Sequence, residues 1–95
     1  MRGLYLEANK ADIRVQPWRN RKILLIIEGL KEEKEGSLQK FLQKLKKEFC
    51  CGGSIQVDKQ NDERQVIQLN GDNKAACHLL LRKMFPDANI VVHGG

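Results

Sequence analysis

Residues 37–53, SLQKFLQKLKKEFCCGG, constrain the fold more than any other stretch of the chain. Leu38, Phe41, Leu42, Leu45 and Phe49 recur at steps of three and four, the spacing that lines side chains up in one stripe on an α-helix. Such a stripe has to be buried, so the rest of the chain must supply an apolar surface to meet it. Lys40, Lys44 and Lys47 repeat about half a turn away, with Lys46 beside them, which gives the same helix a cationic side. Ser37 is positioned to cap the first turn through its hydroxyl, and Gly52 with Gly53 can take the left-handed turn that ends a helix. Lys46 and Lys47 in the last turn also suit the negative end of the helix dipole, so part of this charge has a structural use.

The flanking segments read as strands and a second helix. Residues 1–12 form a short mixed tail with an apolar cluster at Leu4, Tyr5 and Leu6, and residues 13–95 form a single domain. Residues 13–16 alternate in strand fashion, residues 17–22 (PWRNRK) turn the chain, and residues 23–27 (ILLII) return it as a second strand, giving a hairpin with a basic tip. Residues 31–36 (KEEKEG) read as a solvated linker. Residues 55–57 and 65–70 make a second hairpin, joined by a polar loop, with Ile67 and Leu69 on one face. Asp72 is the expected N-cap of a helix over residues 73–84, with Cys77, Leu80, Leu81 and Met84 in its stripe; Phe85 precedes Pro86, which disfavours a further helical turn. Residues 89–93 are a final strand. The order β-β-α-β-β-α-β predicts an α+β two-layer sandwich, a mostly antiparallel five-stranded sheet with two helices on one face. Phe41, Leu42, Leu45, Phe49, Leu80, Leu81, Ile67 and Leu69 are its expected core.

Charge is distributed unevenly. The net charge is +5, yet Arg14, Arg19, Arg21 and Lys22 carry four positive charges with no acid between them, and residues 37–49 carry four lysines against Glu48. The rest of the chain is therefore net negative, and the positive field belongs to two segments, as a phosphate-binding face requires. Each segment also has a plainer reading as a solvated surface. Trp18, beside Arg19, is a base-stacking candidate, and equally a cover for the hairpin's own side chains. Three cysteines, Cys50, Cys51 and Cys77, with no C-x-x-C spacing give neither a disulfide framework nor a zinc site. His78 and His93 lie on different elements without ligand-like spacing, so no cofactor, metal or catalytic role is expected. No apolar run reaches the ~18–20 residues of a transmembrane helix, and the N-terminus lacks the apolar core of a signal peptide. The expectation is a reduced, soluble, cytoplasmic monomer that makes no use of a membrane.

Four motifs then carry a resemblance. RNRK at residues 19–22, LKKEFCCGG at 45–53, VIQLNGD at 66–72 and VHG at 92–94 are similar, in order and spacing, to the signatures of the eukaryotic translation initiation factor 1 family. The resemblance implies a factor that binds the small ribosomal subunit near the P site and promotes scanning and accurate start-codon selection, by contacts with ribosomal RNA and steric exclusion of mispaired initiator tRNA. It implies ribosomal RNA contacts by Arg19, Asn20, Arg21, Lys22, Lys40, Lys44, Lys46 and Lys47, proximity to initiator tRNA, and contacts with other initiation factors. Asp72, Asn73 and Gly94 match positions tied to start-codon fidelity, and the loop of Lys59, Gln60, Asn61, Asp62, Glu63 and Arg64 matches the one that faces the tRNA.

The chain departs from that family at several positions. Asn20 stands where glycine is usual, Trp18 where a polar or basic residue is usual, and Gly95 where an aromatic is usual; the N-terminal tail is short. Residues 23–27 are apolar on both faces where the family alternates threonine with apolar residues, so Leu4, Tyr5 and Leu6, or a partner, are expected to cover the second face. A general RNA-binding module not dedicated to initiation is the alternative reading. An enzyme is the third, and it lacks an acid–base or metal constellation.

Overall fold

The computed structural model describes residues 3–58 and 64–93. Its strands are β1 (Leu4–Leu6), β2 (Lys10–Trp18), β3 (Lys22–Glu28), β4 (Leu30–Glu32), β5 (Gly53–Asp58), β6 (Arg64–Asn70) and β7 (Asn89–His93); its helices are α1 (Ser37–Glu48) and α2 (Lys74–Met84). Five strands form one sheet in the order β5-β6-β3-β2-β7, antiparallel except for the parallel pair β2–β7. The alternation of β2, β3 and β6 places Ile13, Leu25, Ile27, Ile67 and Leu69 on one face, where they are shut from solvent. Leu38, Phe41, Leu42 and Leu45 of α1 and Cys77 and Leu81 of α2 close over that face in one cluster. The expected α+β fold with both helices on one face is therefore present, with Phe49 and Leu80 at the margin of the core. The two helices sit over opposite halves of the sheet, α1 against β5 and α2 against β7 and β2.

The N-terminal segment differs from expectation. Residues 4–6 are not a tail: β1 pairs antiparallel with β4 in a separate two-stranded sheet, Leu6 opposite Leu30. Leu4, Leu6, Ala11 and Leu30 are all buried in the main core. The segment thus packs on the helix side, not on the second face of β3. On that second face Leu24 stands between Gln16 and Asn70, and Ile26 between Arg14 and Gln68. Between these polar neighbours Leu24 is 9% exposed and Ile26 is half-buried. Gly29 makes the β3–β4 corner possible, since its φ is +107° and a Cβ there would lie 2.5 Å from the Lys10 carbonyl oxygen.

Both helix starts also differ. Gly36, with φ 86°, precedes α1, and Ser37 is already inside the helix and buried. The cap comes from Glu32, whose carboxylate accepts from the Gly36 and Leu38 N–H groups at 3.3 Å each, which also sets a negative charge at the positive end of the dipole. The stretch read as a solvated linker thus holds both a strand and a cap. At the other end the Cys51 N–H donates to the Lys46 carbonyl at 3.1 Å with Cys50 at φ 51°, so a cysteine, not Gly52, occupies the left-handed position. Asp72 lies ahead of α2 and makes no side-chain cap; the Asn73 carbonyl accepts from Cys77 N–H at 2.9 Å.

Candidate nucleic-acid interface

The β2–β3 hairpin turns through Arg19, Asn20 and Arg21. Arg19 and Asn20 both take left-handed angles, φ 44° and 51°, and the Lys22 N–H donates to the Arg19 carbonyl at 2.9 Å. Asparagine tolerates that region better than most residues with a Cβ, so Asn20 fills a position that glycine would fill. The tight turn leaves Arg19, Arg21 and Lys22 exposed. Trp18, at the last position of β2 and 39% exposed, gathers two of them: Arg19 Cζ lies 5.0 Å and Lys22 Nζ 5.9 Å from the ring centroid. The ring's negative face offsets part of the repulsion between the two cations.

The end of β6 is held against this hairpin. The Gly71 N–H donates to the Ile23 carbonyl at 2.8 Å, and at φ +125° Gly71 turns the chain toward α2. A pocket of about 430 Å³ opens there, with Trp18, Arg21, Lys22 and Ile23 on the hairpin side and Asn70, Gly71 and Asp72 on the other. The structure therefore brings Trp18, Arg21 and Lys22 of the PWRNRK stretch together with Asp72 of the VIQLNGD motif, about fifty residues apart in sequence. Asn70 and Ile23 were not anticipated; only the β3–β6 register, which sets Leu24 opposite Asn70, brings them in.

On α1, Lys40, Lys44 and Lys47 are exposed and Lys46 is half-buried, away from the buried stripe. The Asn70 N–H donates to the Gly52 carbonyl at 2.9 Å, so the last turn of α1, with Lys46 and Lys47, descends at the end of the sheet that carries the hairpin tip. Among the described residues, none of these four lysines, nor Arg19, Arg21 or Lys22, forms an ion pair. The acids that pair do so elsewhere, Glu28 with Arg14 at 3.6 Å and Glu7 with Lys31 at 3.7 Å and with Arg64 at 3.4 Å, while Asp12 is hydrogen-bonded to His93 Nε2 at 2.8 Å. Arg14, part of the basic run in sequence, is thus partly neutralised. Arg64 is the first residue of β6, turned to Glu7. Lys59, Gln60, Asn61, Asp62, Glu63 and Gly94 lie outside the described residues.

Cys77 is buried in the core and Cys51 packs against it half-buried, while Cys50 is exposed. Burial pushes the Cys77 thiol up to about 12 and raises that of Cys51, which keeps both in the un-ionised, weakly nucleophilic form. Among the described residues no group of three or more His, Cys, Asp or Glu is gathered to hold a metal ion.

Residues 7–86 match the family described as translation initiation factor SUI1. This chain belongs to that family. Protein translation factor SUI1 homolog 2 of Arabidopsis thaliana is 43% identical over 84 residues, covering 86% of this chain and 71% of the relative. Eukaryotic translation initiation factor eIF-1 of Saccharomyces cerevisiae is 36% identical over 89 residues, 92% and 79% of the two chains. The SUI1 homolog of Zea mays is 39% identical over 84 residues, 86% and 70%. The matched residues contain three of the four motifs that carried the resemblance, RNRK, LKKEFCCGG and VIQLNGD, while VHG at 92–94 lies beyond them; the match begins at Glu7, ahead of the domain boundary expected at residue 13. No helix of the described residues is long and apolar enough to cross a membrane.

Proposed function

We propose that this SUI1-family chain is a translation initiation factor that binds the small ribosomal subunit near the P site and promotes scanning and accurate start-codon selection. The observation that carries this reading is the set of seven cations on the hairpin tip and α1 that have no ion-pair partner among the described residues. Unpaired cations are available to ribosomal RNA phosphates, whereas paired ones must first break a contact. In this reading Arg19, Asn20, Arg21, Lys22, Lys40, Lys44, Lys46 and Lys47 hold the RNA, and the loop of residues 59–64 faces initiator tRNA and excludes mispaired forms by bulk. Asp72, Asn73 and Gly94 tune start-codon fidelity, and the factor works in the cytoplasm as a monomer beside other initiation factors, without a chemical step.

Sedimentation with purified small subunits, with and without initiator tRNA, tests the reading. Retention on subunits in preference to free RNA of equal charge is expected. Equal retention on both would instead make the chain a general RNA-binding module.

A further inference from the structure

The pocket between the hairpin and the Gly71 turn has a lining that generic phosphate binding does not require. Arg21 and Lys22 supply positive charge, Trp18 supplies an aromatic wall, Asn70 an amide, and Asp72 a carboxylate. A bare phosphate gains nothing from the aromatic and is repelled by Asp72; a cationic ligand is repelled by Arg21 and Lys22. The ligand that satisfies every wall is flat, carries an anion at one end and presents hydrogen-bond donors at the other. A nucleotide has that form.

Among the common bases, guanine alone sets two adjacent N–H donors along its Watson–Crick edge, which a single carboxylate accepts as a pair. Adenine and cytosine place an acceptor lone pair there, and uracil flanks its one N–H with carbonyls, so each meets Asp72 with repulsion. The volume of about 430 Å³ lies within the roughly 300–1,000 Å³ range of small-ligand sites and suits one nucleotide. Arg19 lies over the Trp18 ring and does not line the pocket; Lys22 does line it, and its Nζ, 5.9 Å from the ring centroid, swings off the ring to follow a phosphate when a base stacks there. The Gly71 to Ile23 hydrogen bond ties the two walls together before any ligand arrives.

We propose that this pocket takes one unpaired guanine nucleotide of an RNA strand, its base stacked on Trp18, its Watson–Crick edge on Asp72 and its phosphate on Arg21 and Lys22. The proposal rests on the RNA-binding reading above and adds a base preference to it. Trp18 is the sole tryptophan, so its fluorescence reports the pocket alone. The chain is titrated with guanosine, adenosine, cytidine and uridine 5′-monophosphates and with ribose 5-phosphate, with N-acetyltryptophanamide correcting for absorbance. Saturable quenching is expected with guanosine monophosphate, about fivefold or more tighter than with the other three, the discrimination of one good bidentate contact, and none with ribose 5-phosphate. Asp72→Asn, at an exposed position and with the reporter intact, should erase the guanine preference. Two RNA stem-loops of equal length, one with a bulged guanine and one with a bulged uracil, should differ in the same sense.

Equal quenching by all four nucleotides, or by none, overturns the proposal. Guanosine monophosphate selectivity with equal binding of the two stem-loops overturns it too, leaving a site for free nucleotide. Normal retention on small subunits without base preference removes the pocket and keeps the function. Base preference without retention on subunits does the reverse.

Discussion

Replacing Arg19, Arg21 and Lys22 together with glutamine should flatten the salt dependence of binding to small ribosomal subunits. Each neutralised phosphate contributes roughly 0.7–0.9 to the log–log slope. Three exposed cations without ion-pair partners among the described residues therefore account for about two to three units of that slope. Between 50 and 200 mM salt, a fourfold range, that difference makes the parent's affinity fall about 20- to 40-fold more than the variant's. Cosedimentation across a salt series measures it directly. Arg14→Gln is the internal control, since Arg14 already faces Glu28 at 3.6 Å; its effect on the slope should be smaller than that of one free cation. The triple variant should remain folded. It loses the cation–π contacts of Arg19 and Lys22 with Trp18, about 0.5–1 kcal/mol each at an exposed site, against a typical stability of about 5–15 kcal/mol. An unchanged slope in a folded triple variant would refute the hairpin as a phosphate contact.

Leu45, shut from solvent in the third turn of α1, should cost about 2–5 kcal/mol when changed to alanine; a loss below about 1 kcal/mol in a urea titration would show that the α1 stripe does not anchor the core. Glu32→Ala removes the acceptor of the Gly36 and Leu38 N–H groups and should cost about 0.5–2 kcal/mol, as loss of an N-cap does, whereas Ser37→Ala should not remove a cap; the reverse order in denaturant midpoints would return the cap to Ser37. The hydrogen bond from His93 holds the Asp12 carboxyl below its ordinary range. The unfolded chain then binds more protons there, so this stabilisation is present above about pH 3.9 and is lost as pH falls through the lower folded value. Asp12→Asn should flatten that acid limb, and parallel limbs for the two proteins would sink the assignment.

The parts of the fold carried by long periodic segments were legible in the sequence. Twelve residues of α1 with four apolar positions at helical spacing leave little choice of face, and the alternation in β6 puts Ile67 and Leu69 on one side. What escaped was short or nonlocal. Three-residue β1 carries too few positions for a period, and only its pairing with β4 shows that Leu4 and Leu6 belong to the core. Ser37 has a capping side chain, but the capping oxygen comes from Glu32, brought close by β4 and the left-handed Gly36. Residues 23–27 looked in need of a cover because a single strand does not reveal its neighbours; in the sheet, Gln16, Arg14, Asn70 and Gln68 flank the outer residues. Arg21, Lys22 and Asp72 each stand in a motif of the sequence, while their meeting in one pocket depends on the β3–β6 register and the Gly71 to Ile23 hydrogen bond that extends it, neither of which a single segment reveals.

The parallel pairing of β7 with β2 sets Ala11 beside Ile90 and Ile13 beside Val92, joining segments from opposite ends of the sequence. During synthesis the outer edge of β2 therefore waits, with its N–H and C=O groups unmatched, until β7 has left the exit tunnel, and α2 waits with it because its floor is β7 and β2. The nascent domain spends that interval with an adhesive strand edge open to any other extended chain. A premature stop ahead of residue 89 would therefore release a sheet whose β2 edge stays open, a sticky species that lacks the partner strand β7.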